Sequence, residues 1–150
     1  MYWAGKHAIR RFFKSLFHQK EQALSSSVHE HPHDNYRLSA EQMEHLDRLV
    51  RKWVDEKGYR QPDHSISETA QRMGTNSVSL YRYCISLGTD FRSWRTRLRI
   101  LDAQELLLAE PDTPVSLIAR RVGIVDRSNF NRLFRAQTGL TPDQWRKNQK

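Results

Sequence analysis

Arg127, Ser128, Asn131 and Arg132 fall within the six positions Arg-Ser-Asn-Phe-Asn-Arg, and their spacing puts them on one side of a helix. These are side chains that read nucleic acid: an arginine fork pairs with guanine edges, an asparagine amide with adenine, and both grip phosphate. Tyr81 and Arg82 form a thinner set of the same kind. A merely solvated helix face more often mixes Glu with Lys, and neither set contains an acid.

Both sets need an element that presents them, and the sequence supplies the same one twice. In the stretch Ser65 to Gly88, Ile66, Ala70 and Met73 give the stripe of a short helix, Ser65 with Glu68 reads as a capping box, and Gly74 breaks the helix. After Gly74-Thr75-Asn76, Ser77 is the expected cap of a second helix with Leu80, Cys84 and Leu87 inward, ended by Gly88. In the stretch Thr113 to Gly139, Thr113 is the expected cap, Pro114 the first helical residue, and Val115, Ile118, Ala119 and Val122 the stripe. Gly123 breaks it, and Asp126 then caps a helix with Phe130, Leu133 and Phe134 inward. Overlaying Gly74 on Gly123 sets Ile66 on Val115, Ala70 on Ala119 and Met73 on Val122. Two helices joined by a tight glycine turn have the layout of a helix-turn-helix; ordinary helical hairpins share it, and the polar second helices favour the reader.

The residues from Ser65 to Trp145-Arg146 resemble the DNA-binding domain of AraC/XylS transcription regulators. The resemblance rests on Ile66 to Gly74, Leu98-Arg99-Ile100 with Ala103 and Leu106-Leu107, and Ile118-Ala119 through Gly123. Its most specific piece is Ser128 to Arg135, followed by Thr138-Gly139-Leu140-Thr141-Pro142 and Trp145-Arg146. It implies an all-α fold of about seven helices, with two helix-turn-helix subdomains (65–88 and 113–139) joined by a long linker helix (90–109). Carried over by position, the base-reading residues are Val78, Tyr81 and Arg82 in the first unit and Arg127, Ser128, Asn131 and Arg132 in the second. Three departures stand out. The first reader is a residue shorter before Gly88 and has a single outward arginine, Ile124 sits where the family usually has phenylalanine, and Ser128 is either a cap or a base contact. The segment Leu38 to Asp63 resembles the lead-in of members from Bacteroidetes, giving a DNA-binding domain over 38–150.

Local sequence agrees with the linker helix. Asp90 is its expected cap, and Phe91, Trp94, Leu98, Leu101 and Leu108 recur at helical spacing. At 1.5 Å per residue such a rod is roughly 28 Å long, near the ~34 Å turn of B-DNA, which would set two recognition helices into successive major-groove segments. Arg92, Arg95, Arg97 and Arg99 are too close together to share one face, so some should pair with acids or touch phosphate. Upstream, Ser39 to about Lys57 reads as a helix with a Ser39–Gln42 capping box and Met43, Leu46, Leu49, Val50, Trp53 and Val54 inward; Gly58 to Asp63 follows as a loop.

Composition agrees with a polyanion partner. The 150 residues carry a net charge of +8, and the 14 Lys and Arg from Ser65 onward exceed the 8 Asp and Glu there by six, all but Lys147 and Lys150 being arginine. Cys84, the single cysteine, cannot form an internal disulfide; it suits a reduced cytoplasmic setting and reads as a buried structural thiol. No nucleophile and base, metal-ligand pattern or phosphate loop is evident, so neither catalysis nor a cofactor or metal is expected. His29, His31 and His33 lie in an aperiodic stretch (23–37) read as a solvated linker.

Residues 1–22 read as a basic amphipathic helix. Trp3, Ile9, Phe12, Phe13, Leu16 and Phe17 alternate with Lys6, Arg10, Arg11, Lys14 and Lys20. It is too short and charged to span a bilayer, and no cleavage site follows it. An anionic membrane surface, a partner protein, a second chain and the domain itself are its open destinations. About sixty residues before Ser65 are too few for the family's sensing barrel; the chain is then a short regulator or the output part of a membrane-anchored one. The reading is therefore a cytoplasmic, sequence-specific transcription regulator that binds double-stranded DNA, with RNA polymerase and a membrane surface as further candidate partners. The alternative is a protein- or membrane-interaction module.

Overall fold

Three helices open on one device. Ser39, Ser65 and Thr141 each accept the N–H three residues on, while the side chains of Gln42, Glu68 and Gln144 reach back to the capping N–H. The computed structural model describes residues 37–62 and 64–148, together with Ile9, Arg11, Phe12 and Ser15. Among the described residues there is no strand and the α-helices are seven: α1 (Ala40–Asp55), α2 (Ile66–Met73), α3 (Ser77–Ser86), α4 (Phe91–Ala109), α5 (Val115–Arg121), α6 (Arg127–Thr138) and α7 (Pro142–Asn148). A short 3-10 turn, Gly58–Arg60, follows α1. Of the expected N-terminal basic helix, only Ile9, Arg11, Phe12 and Ser15 are described, each helical; the rest of it, and the linker with His29, His31 and His33, lie outside the described residues.

The chain forms two compact units that share α4. The first holds α1, α2, α3 and the opening turn of α4. Leu46, Val50, Trp53 and Val54 of α1 are buried there with Ala70, Met73, Leu80, Tyr83 and Cys84, and Trp53 stacks on Trp94 at a ring separation of 5.5 Å. The second unit holds the rest of α4 with α5, α6 and α7. Its core joins Ile100, Ala103 and Leu107 to Val115, Ile118, Ala119, Val122, Ile124, Phe130 and Phe134. Phe130 and Phe134 are wholly buried, each worth roughly 1.5–3 kcal/mol of transfer free energy. The Trp145-Arg146 pair is structural: the indole meets Phe134 edge-on and Arg146 donates to the Thr113 carbonyl at 2.7 Å.

The segment read as a loop is built into the second unit. Tyr59 is buried, and Arg60 grips buried Asp102 with two nitrogens. Arg99 donates to the carbonyls of Tyr59 and Gln61, both at 2.6 Å. Burial and the Asp102 carboxylate push the Tyr59 hydroxyl far above its ordinary range, and the hydrogen bond to Asp102 raises the Arg60 guanidinium. Arg99 is thus buried on backbone carbonyls, a use the sequence expectation of acids or phosphate did not include.

Several boundaries differ from expectation. Asn76, not Ser77, caps α3, its Oδ1 accepting from Ser79 N–H at 2.9 Å, so Ser77 is the first helical residue. Thr113 does not cap α5: its hydroxyl donates to Glu110, and Pro114 stands in the capping position with non-helical backbone. Leu108 is 44% exposed while Leu107 fills the core position, and Leu87 is a half-buried residue closing α3. Asp126 caps α6, as expected, accepting from Asn129 N–H.

Candidate nucleic-acid interface

Each unit carries one turn of the same construction. Gly74 and Gly123 both close a helix with positive φ, and in both turns the next residue, Thr75 or Ile124, donates to a helix carbonyl at 2.9 Å. The cap follows two residues after Gly74 but three after Gly123, where Val125 is the extra residue. Measured from glycine to glycine the first reader is two residues shorter than the second, one of them in the turn and one after the cap. The cap position sets the register: Asn76 corresponds to Asp126, Leu80 to Phe130 and Cys84 to Phe134, each pair buried or capping alike.

With about 100° per residue, the remaining positions of α6 sort cleanly. Arg127, Asn131, Arg135, Ser128 and Arg132 follow one another around one contiguous arc; Phe130 and Phe134 adjoin its Arg127 end and lie opposite Ser128 and Arg132. Arg127, Ser128, Arg132 and Arg135 are exposed. The four residues nominated from sequence therefore share a face, and Arg135, quoted only as part of the family motif, joins them. Ser128 is not the cap, since Asp126 has that role. Arg132 donates to Oδ1 of Asn129 at 2.8 Å, a restraint on the guanidinium that sequence reading missed although the two lie one turn apart.

Asn131 is less outward than its neighbours. It lies one turn before Phe134 and is half-buried, with Oδ1 shielded from solvent and without a hydrogen-bond partner. A bidentate grip on adenine uses both amide atoms, so it requires this side chain to turn outward. Asn131, Arg132, Arg135 and Thr141 line an open concavity beside α6.

On α3 the corresponding arc is Tyr81, Ile85, Val78 and Arg82. Val78 and Tyr81 are exposed, Arg82 is half-buried, and Ile85, absent from the sequence-based set, is exposed on the same arc. Beneath it, Tyr83 and Cys84 hold the helix to the core. Desolvation by burial, with the Asp90 carboxylate adding to it, pushes the Cys84 thiol up to about 12, which leaves it protonated and unreactive at neutral pH. Burial and Asp47 raise the Tyr83 hydroxyl far above its ordinary range.

Comparison with known proteins places this geometry. The family described as "Helix-turn-helix domain" matches residues 69–148, more than half of the chain and all seven nominated residues. The regulator RipA of Corynebacterium glutamicum is 35% identical over 79 residues, 52% of this chain and 23% of RipA. The transcriptional activator NphR of a Rhodococcus species is 31% identical over 104 residues, 69% of this chain and 30% of NphR. The chain belongs to the AraC/XylS helix-turn-helix family. It spans less than a third of the length of these curated relatives.

Among solved structures, this AraC/XylS-type chain is similar to the C-terminal domain of AraT, a response regulator from Geobacillus stearothermophilus. The TM-score is 0.57 and the identity 28%, covering 67% of this chain and 84% of that one. The all-helical fold implied by the sequence resemblance is thus the fold observed. Among the described residues, no group of three or more His, Cys, Asp or Glu side chains could hold a metal ion, and no helix is long and apolar enough to cross a membrane.

Proposed function

We propose that this AraC/XylS-type chain is a sequence-specific DNA-binding transcription regulator that acts through binding and carries no catalytic activity. Each reader enters the major groove at its own half-site, α3 with Val78, Tyr81 and Arg82 and α6 with Arg127, Ser128, Asn131 and Arg132, in successive groove segments. The observation that carries this reading is the α6 arc, where three exposed arginines, a serine and an asparagine stand together on a face without an acid. Such a face can supply both phosphate grip and base discrimination. The 19-residue α4, which both units share, supports the pairing of half-sites.

Residues 38–150 make up the DNA-binding domain in this reading, and the chain works in the cytoplasm. RNA polymerase is a further partner consistent with transcription control, and a membrane surface one consistent with the basic, apolar residues 1–20. Flotation of the intact chain on anionic liposomes, compared with a chain starting at Leu38, tests the last; equal flotation removes it.

The decisive experiment is selection of binding sites from random duplexes, followed by titration of the selected and a scrambled duplex across salt concentrations. Two half-sites and a steep loss of affinity with salt are expected, each phosphate contact adding roughly 0.9 to the logarithmic slope. Equal affinity for selected and scrambled DNA rules out sequence-specific function.

A further inference from the structure

The two recognition helices agree on their buried side and disagree on their exposed one. In the register set by Asn76 and Asp126, Val78 stands where α6 has Ser128, Tyr81 where it has Asn131, and Ile85 where it has Arg135; Arg82 and Arg132 are the shared pair. Val78 and Tyr81 are each 55% exposed and Ile85 52%, although Leu80, Tyr83 and Cys84 already fill the packing side of this ten-residue helix. The exposed apolar residues are therefore not core residues on display. They occupy the positions that in α6 hold Ser128, Asn131 and Arg135.

We propose that α3 reads thymine C5-methyl groups, which makes its half-site a thymine-dependent one, while α6 reads hydrogen-bonding edges. This rests on the DNA-binding function proposed above. In the major groove the methyl of thymine is the one apolar group a base pair presents, and its recognition calls for aliphatic or aromatic contact. Val78, Tyr81 and Ile85 provide three such contacts along one arc. The only charge on α3 is Arg82, and the helix carries no acid, so the face suits an anionic groove wall around an apolar target. Ile85 is thereby nominated as a specificity residue.

The test uses the intact chain and the duplex recovered by selection. Deoxyuridine in place of thymine removes the methyl and leaves every base-pair hydrogen bond. Each contacted thymine so replaced should weaken binding about fourfold, the equivalent of one buried methyl group, in the half-site whose preference changes in Ile85→Ser. The Ile85→Ser variant itself, at an exposed position, should keep its helical circular dichroism and lose the deoxyuridine sensitivity at the thymine nearest that side chain. Sequence-specific binding in both half-sites with no effect of deoxyuridine overturns the methyl reading and leaves the regulator function standing. A selected site with a single half-site, unaffected by Ile85→Ser, also overturns it and reassigns the α3 face to protein contact. No preference for any sequence overturns the function itself and this inference with it.

Discussion

Alanine at Gly74 and at Gly123 should have unequal costs, although the two glycines do the same job in the two turns. Gly74 has φ +85° and Gly123 φ +90°, so each substitution forces a left-handed conformation on an L residue, about 1–2 kcal/mol, partly offset by the entropy that alanine removes from the unfolded chain. At Gly74 that is the whole cost, because no atom lies within 4 Å of an added Cβ. At Gly123 the Cβ would sit 2.5 Å from the Arg60 carbonyl oxygen and 3.1 Å from the Arg99 guanidinium carbon. Neither neighbour yields easily, since Arg99 is bonded to the Tyr59 and Gln61 carbonyls and Arg60 to Asp102. Displacing that segment should add about 2 kcal/mol or more, in the range of overpacking a well-ordered core. We expect losses of about 1 kcal/mol for Gly74→Ala and about 3–4 kcal/mol for Gly123→Ala, measured as urea midpoints by circular dichroism at constant m-value. Equal destabilisation by the two variants would refute the close-approach argument and leave conformation alone as the reason for glycine.

Four further outcomes follow from the same structure. Arg132→Ala should cost about 1–3 kcal/mol of specific DNA binding and relax preference at one base position, and Asn129→Ala should shift the same position by less, because it only loosens the arginine; selection with each variant checks this. Asp102→Ala should destabilise the fold by roughly 2–4 kcal/mol, read by thermal melting, because it leaves the Arg60 guanidinium beside a wall that no longer carries its counter-charge. The carboxyls of Glu68 and Asp90 are held below their ordinary values of 4.5 and 3.8, chiefly by hydrogen bonds with Ser65 and Ser93. Their contribution is present above those values and lost as pH falls through the lower folded ones, so Glu68→Gln, which keeps an acceptor at the cap, should flatten the fall in urea midpoint between about pH 5 and 2. Cys84 should react with a thiol reagent at neutral pH only in denaturant; reaction in the native protein at the denatured rate contradicts its burial.

Much of the candidate reading face was legible because it depends on periodicity. Phe130 and Phe134 fix one side of α6, and the angular step then dictates that Ser128, Arg132 and Arg135 lie on the far side. Asn131, an i,i+3 neighbour of Phe134, is half-buried, whereas Arg127, nearer to Phe134 by angle but in the first turn of the helix, is exposed, a difference that the angular step alone does not give. Caps were less legible where two competent residues adjoin: Asn76 and Ser77 can both accept a backbone N–H, and the length of the turn decides between them. Tyr59, Arg60 and Asp102 were out of reach for a different reason. Their pairing spans 42 residues of chain, and a lone tyrosine between Gly58 and Pro62 has no period to mark it as buried.

The division of labour between the two sides of each recognition helix also explains why the readers can diverge so far. Leu80 and Phe130, or Cys84 and Phe134, answer to the core, where a change of volume is felt by every neighbour. Val78 and Ser128, or Ile85 and Arg135, answer only to what lies outside, so their exchange costs the fold little. Similar turns and similar packing positions thus deliver an apolar arc in one unit and a cationic one in the other. In the proposed function the chemistry of each half-site is set by four or five side chains per helix, and the rest of the helix serves to aim them.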